Sequence, residues 1–228
     1  MSDSSALWSI IAAAADEALA NPASASDDGW ALPADAVAFL EQVVGRLSPP
    51  RILEFGSGVS TCALARSVAT STPSSRIVSL DHDPDVVAQT NASLEAAGLG
   101  EYASVHLAPL VLRRSRLDNR LLTTYRVPDA LLDQHGANLA VVDGPPDLMG
   151  GREGSVLLAL ASTRAGGMVV LDDAAREREA SVIDAIEKLF GEHVDVHRDL
   201  RFERGLACLL VRRSVTSHVA LRPSRPAS

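Results

Sequence analysis

The sequence predicts an α/β domain, a three-layer sandwich whose seven-stranded, mostly parallel sheet ends in an antiparallel strand pair and is preceded by two extra helices. Three features predict it. Short apolar runs alternate with helix-like stretches after Pro50, the pattern of strands joined by helical crossovers. Several runs end in Asp, Glu or Gly, residues suited to the carboxyl edge of a parallel sheet, where ligands bind. The last two runs are separated only by Arg198 to Gly205, too short for a helical crossover, so they pair as a hairpin.

Two helices open the chain, over residues 5–20 and 33–47. Pro33 suits a first helical turn, and Val37, Phe39, Leu40, Val43, Val44 and Leu47 form one apolar stripe. The intervening NPASASDDGW is a loop by composition. Strands are expected at Arg51 to Phe55, Arg76 to Leu80, Ser104 to Leu107, Asn138 to Val142, Met168 to Leu171, His193 to Val196 and Leu206 to Val211. Helices are expected at Ser60 to Ala69, Pro84 to Ala97, part of 115–134, 153–164 and 177–190. In the last of these, Val182, Ile183, Ile186, Leu189 and Phe190 form a core-facing stripe. The chain thus divides into a helical extension (1–48), a Rossmann-like domain (49–213) and a flexible tail (214–228).

With 228 residues, 46% of them hydrophobic and 22% charged, the chain has the composition of one soluble folded domain. A formal net charge of -8 opposes binding to a nucleic-acid backbone, so a small-molecule partner is expected. No apolar run approaches the roughly 20 residues of a membrane span. The first residues lack the positive region of a secretory signal, and a cytoplasmic location is expected. Cys62 and Cys208 read as small buried hydrophobes rather than a disulfide or zinc pair. The N-terminal helices are available to pair two copies into a homodimer.

Ile52-Leu53-Glu54-Phe55-Gly56-Ser57-Gly58-Val59-Ser60-Thr61 carries the strongest chemical signal, a strand entering a glycine turn and then a helix. Glycines let backbone approach a ligand, and the free N–H groups of a helix start hold a carboxylate or phosphate. Thr61 stands where a dinucleotide fingerprint would place its third glycine. Asp81 ends the second strand 23 residues beyond Gly58, where a carboxylate can accept both ribose hydroxyls, and His82 adjoins the adenine edge. Val141-Val142-Asp143-Gly144-Pro145-Pro146 and Gly166-Gly167-Met168-Val169-Val170-Leu171-Asp172-Asp173 place three more acids on the same rim. Asp143, Asp172 and Asp173 could hold a divalent cation such as Mg2+ through oxygen ligands.

Taken in order, Glu-Phe-Gly-Ser-Gly-Val-Ser-Thr, Asp-Gly-Pro-Pro and Gly-Gly-Met-Val-Val-Leu-Asp-Asp-Ala resemble small class I S-adenosylmethionine-dependent methyltransferases. The likeness covers about residues 30–212 and is to a bacterial O-methyltransferase group found in natural-product and glycan biosynthesis. It implies the Rossmann-like fold, S-adenosyl-L-methionine as cofactor, and Glu54, Gly56, Ser57, Gly58, Ser60 and Thr61 around the methionine part. Asp81, His82 and Asp143 complete the cofactor set. More distantly the chain is similar to catechol-type O-methyltransferases, which implies Asp143, Asp172 and Asp173 as metal ligands. That family's lysine base is missing: Gly144, Pro145, Pro146 and Asp147 follow Asp143, and the only lysine is Lys188.

The base is then a carboxylate, Asp143, Asp172 or Asp173, or a metal-bound alkoxide. Arg152 and Arg176, just beyond the same strand ends, could grip an anionic acceptor. Trp30, Tyr125 and the 110–135 segment are candidates for the acceptor wall. His106 reads as a hydrogen-bonded core residue, and His135, His193, His197 and His218 form no metal-ligand spacing. O-methylation of a small natural-product or sugar-like hydroxyl is the leading expectation. Methylation at N or C, a nicotinamide-dependent oxidoreductase and a non-catalytic nucleotide-binding module stay open.

Overall fold

In a computed structural model, residues 3–23, 32–115, 119–127, 136–215 and 221–222 are described. The elements run α1 (Asp3–Ala20), α2 (Ala34–Leu47), β1 (Arg51–Phe55), α3 (Val59–Ser71), β2 (Arg76–Asp81), α4 (Pro84–Ala96), β3 (Ala103–Leu107), β4 (Leu110–Ser115) and β5 (Leu121–Tyr125). There follow β6 (Ala137–Val142), α5 (Glu153–Ser162), β7 (Thr163–Asp172), α6 (Glu177–Phe190), β8 (Val194–Asp199), β9 (Leu206–Val211) and β10 (Leu221–Arg222). The main sheet has seven strands in the order β3-β2-β1-β6-β7-β9-β8. β1 is parallel to β2 and β6, whereas β9 runs antiparallel to both β7 and β8.

Strand alternation sorts the core into two layers. Ile52, Ile77, Val105, Leu139, Val141, Met168 and Val170 face one side, where α1, α2 and α3 contribute Ile11, Phe39, Val43 and Leu64. Leu53, Phe55, Leu80, Ala140, Val142, Val169 and Leu171 face the other, under Leu157 and Leu158 of α5 and Ile183 and Ile186 of α6. Helix boundaries follow local chemistry. Asp83 caps α4 by accepting the Asp85 N–H at 2.9 Å, with Pro84 in the first turn. α2 stops where Ser48 turns left-handed and its N–H returns to the Val44 carbonyl.

Four details depart from the sequence reading. Within 115–134, expected to be partly helical, Leu121–Tyr125 is a strand that pairs antiparallel with β4; 116–118 and 128–135 lie outside the described residues. In the stretch read as a tail, Leu221 and Arg222 pair with Ser115 and Arg114 of β4, which makes a separate three-stranded sheet. Leu189 is exposed instead of facing the core, because the buried stripe of α6 passes through Glu179, Val182, Ile183, Ile186 and Phe190. His106 is exposed too, its Nε2 3.0 Å from Ser104 Oγ, since the edge strand β3 leaves that register open to solvent. Among the described residues, no helix is long and apolar enough to cross a membrane.

Candidate functional site

The carboxyl ends of β1, β2, β6 and β7 meet on one rim. Gly56 has a φ of +95°, and a Cβ there would lie 3.1 Å from the Gly144 nitrogen, so the turns after β1 and β6 touch through backbone. The Phe55 carbonyl fastens them by accepting the N–H groups of Asp143 at 2.9 Å and Gly144 at 2.8 Å. Glu54 is fully buried and turned away from open space. It accepts hydrogen bonds from Ser60 Oγ (2.7 Å), Thr61 Oγ1 (2.6 Å) and Ser79 Oγ (2.7 Å), which tie the glycine turn to β2 and α3. Burial pushes its pKa up to about 7 even though these hydroxyls favour the ionised form. Thr61 Oγ1 also accepts the Gly58 N–H at 3.1 Å and closes the first turn of α3.

Asp81, buried at the end of β2, accepts the Ser57 N–H at 2.7 Å and the Ser57 hydroxyl at 3.0 Å on Oδ2, and the Asp83 N–H at 3.0 Å on Oδ1. His82 Nδ1 lies 3.3 Å from Asp81 Oδ1. A cavity of about 410 Å3 opens beside this turn, lined by Ser57, Gly58, Val59 and Ser60, by Val86, Gln89 and Thr90 of α4, and by Asp143. That volume is within the range of small-molecule sites. A helix start also leaves its first N–H groups without intrahelical partners, which suits a carboxylate.

Asp143 borders a second cavity as well, of about 310 Å3, with Pro146, Leu148, Arg152, Arg176 and Arg204. One oxygen each of Asp143, Asp172 and Asp173 lie within 4.8 Å of one another, a spacing that a metal ion could bridge. The cation among them is Arg152. Its Nη2 is 2.8 Å from Asp143 Oδ1, 2.6 Å from Asp173 Oδ2 and 3.9 Å from Asp172 Oδ2. Arg176 adds an Nη2 contact of 3.1 Å to Asp173 Oδ1 and an Nη1 contact of 3.3 Å to Asp147 Oδ2. Asp173 stands in the left-handed region at φ 61°, a costly conformation for a residue with a side chain, and its carboxylate meets both arginines. With the guanidinium in this position, the three acids do not fit a divalent metal.

Burial, reinforced by the charges of Asp143 and Asp173, lifts Asp172 to a pKa of about 7. Burial raises Asp143 too, against the pull of Arg152. Tyr125 is buried rather than forming an acceptor wall; its ring lies 5.9 Å from Phe55 and 6.2 Å from His82. Trp30 lies outside the described residues, and Lys188 is exposed on α6. Sequence reasoning found the acids but treated Arg152 as one of two arginines near an acceptor. The signal that could have revealed its role is charge balance, since three acids on one rim need a nearby cation.

A sheet of this order, with a glycine turn after β1 and acids after β2, β6 and β7, defines a Rossmann-like methyltransferase. Residues 53–174 match the model of a methyltransferase-domain family, and the chain belongs to that family of S-adenosylmethionine-dependent enzymes. Among solved structures it is similar to an O-methyltransferase from Bacillus cereus in complex with S-adenosylhomocysteine (TM-score 0.60, 18% identity, covering 87% of this chain and 90% of that one). It is also similar to TomG of Streptomyces achromogenes, an O-methyltransferase involved in tomaymycin synthesis, in complex with S-adenosylmethionine (TM-score 0.58, 20% identity, 89% of each chain). A third likeness is to a methyltransferase from Podospora anserina bound to S-adenosylhomocysteine (TM-score 0.56, 16% identity, 89% of this chain and 87% of that one). At these identities the likeness concerns the fold. No protein of curated function matches the sequence significantly.

Proposed function

We propose that the protein transfers the methyl group of S-adenosylmethionine to the hydroxyl oxygen of a small natural-product or sugar-like molecule, with Asp143 receiving the hydroxyl proton. The observation that carries this reading is that Asp143 borders both cavities, one beside the glycine turn and one beneath the arginines. In this reading the first holds the donor and the second the acceptor. The start of α3 receives the methionine carboxylate on the N–H groups of Val59 and Ser60, with Gly58 giving close approach. Asp81 takes the ribose hydroxyls as Ser57 releases it, and His82 flanks the adenine. Glu54 and Thr61 act at one remove by holding the turn.

The acceptor oxygen attacks the methyl carbon as the S–C bond breaks; the bonding pair goes to sulfur and the proton to Asp143. Holding the two reactants in line supplies most of the acceleration. A carboxyl group held above its usual range is a better proton acceptor near neutral pH than an ordinary one. Arg176, on the open side of the second cavity, orients the acceptor, and burial together with the charge of Asp173 keeps the proton affinity of Asp143 high.

Titration calorimetry with S-adenosylhomocysteine on the wild type and Asp81→Ala tests the donor half. Release of S-adenosylhomocysteine in the presence of small sugars, polyols and phenols tests the acceptor half. Failure of the wild type to bind the product cofactor would overturn the donor assignment. Turnover confined to amine or carbon acceptors would overturn the oxygen assignment.

A further inference from the structure

We propose that Arg152 is the resident cation of this site: its guanidinium holds the place among Asp143, Asp172 and Asp173 that a divalent metal would hold, and methyl transfer proceeds without one. The inference rests on reading this rim as the methyl-transfer site. Its geometric basis is that Arg152 Nη2 lies 2.6 Å from Asp173 and 2.8 Å from Asp143, with Asp172 at 3.9 Å. A magnesium ion would need the same oxygens at about 2.1 Å, so the ion and the guanidinium exclude each other.

Arg152 is anchored to stay. It is 5% exposed, and as the N-cap of α5 its carbonyl accepts the Val156 N–H at 2.9 Å. A guanidinium does not lose its proton in proteins, so it cannot leave the carboxylates by becoming neutral. Withdrawing it would take the ion-pair partner from Asp143 and Asp172 and leave Asp173 to Arg176 alone, the kind of loss that makes breaking a buried ion pair so unfavourable.

Arg152 also has donors to spare. Its Nε and Nη1 are buried and have no hydrogen-bond partner among the described residues, while the side chain borders the second cavity. By bordering that cavity the guanidinium sets its positive charge beside an acceptor oxygen gaining negative charge, a task that falls to a Lewis acid in metal-assisted transfer. The same arginine thus balances the acids and positions the nucleophile.

Manganese titration followed by electron paramagnetic resonance tests this, with S-adenosylhomocysteine binding measured in parallel by calorimetry. The wild type is expected to take up no Mn2+ below about 1 mM, while Arg152→Met binds one ion at least about tenfold more tightly and loses it again on adding Asp173→Asn. Should Arg152→Met fail to fold, thermal unfolding of the wild type decides. Mg2+ and Mn2+ are expected to leave its Tm unchanged, because a ligand that does not bind the native state cannot stabilise it. Stoichiometric Mn2+ binding by the wild type, a metal-induced rise in its Tm that Asp173→Asn removes, or a folded Arg152→Met that takes up no ion would each overturn the inference. Loss of S-adenosylhomocysteine binding in the wild type would instead overturn the donor reading.

Discussion

Glu54 and the Asp143–Asp172–Asp173 group are both sets of buried carboxylates at strand ends on one rim, yet they are satisfied in opposite ways. Glu54 is surrounded by three neutral hydroxyls, from Ser60, Thr61 and Ser79, and among the described residues it touches no cation. The aspartates gather around Arg152, with Arg176 also on Asp173, and Asp143 among them borders open space. Burial lifts Glu54 and Asp172 alike to a pKa of about 7, so a perturbed titration does not by itself distinguish structure from chemistry. The partners do. Hydroxyls consume a carboxylate's lone pairs and fix it as a joint in the fold, while the cation on Asp143 Oδ1 leaves its other oxygen for the proton of the proposed transfer.

Substituting the two sets in parallel sharpens this contrast. The largest effect is expected for Asp143→Asn: removing a general base lowers turnover by about 10²–10⁴-fold, read as S-adenosylhomocysteine released with a hydroxyl acceptor, with little change in donor affinity. Stability should answer next, at Glu54. Its folded pKa lies above the unfolded value, so its contribution is fully present below about pH 4.5 and is lost as pH rises through about 7. Glu54→Gln is expected to flatten that part of the denaturation profile by up to about 3 kcal/mol, and an unchanged slope would break the comparison.

Asp172 adds a slope of the same sign over the same window, which remains in Glu54→Gln and diminishes in Asp172→Asn. Asp81→Ala removes a charged acceptor from the ribose position and is expected to weaken S-adenosylhomocysteine by about 10–100-fold in calorimetry. The smallest effect belongs to Lys188→Ala. This exposed side chain is the only lysine, and turnover should stay within about twofold, which excludes a lysine base.

Strands of the main sheet were legible because each alternates between two buried layers, as Ile52 and Leu53 do, and ends in a turn of recognisable chemistry. The β4–β5 hairpin was not. It lies outside the main sheet, with Leu112 and Leu121 exposed, and its arginines mimic a solvated helix face, although Thr123, Thr124 and Tyr125 are strand formers. At the site, Asp81 and the three aspartates could be placed on the rim because β-strand ends are fixed by topology. Arg152 could not. It lies nine residues after Asp143 on another element, and its ion pairs depend on how the turn before α5 folds back. Glu54 was found in the right motif, but its inward orientation follows from strand parity and from hydroxyls on two neighbouring elements.

The shared Phe55 carbonyl has a consequence for how such an enzyme can diversify. Because one oxygen anchors both Asp143 and Gly144, and Gly56 rests on Gly144, backbone ties together the two sides that the proposed function gives to donor and acceptor. Substitutions at Leu148 or Arg204 can reshape which molecule enters without altering the spacing over which the methyl group must travel. Under the proposed function, substrate range and transfer distance are therefore separate inheritances: the first can drift in the loops, and the second is held by the backbone.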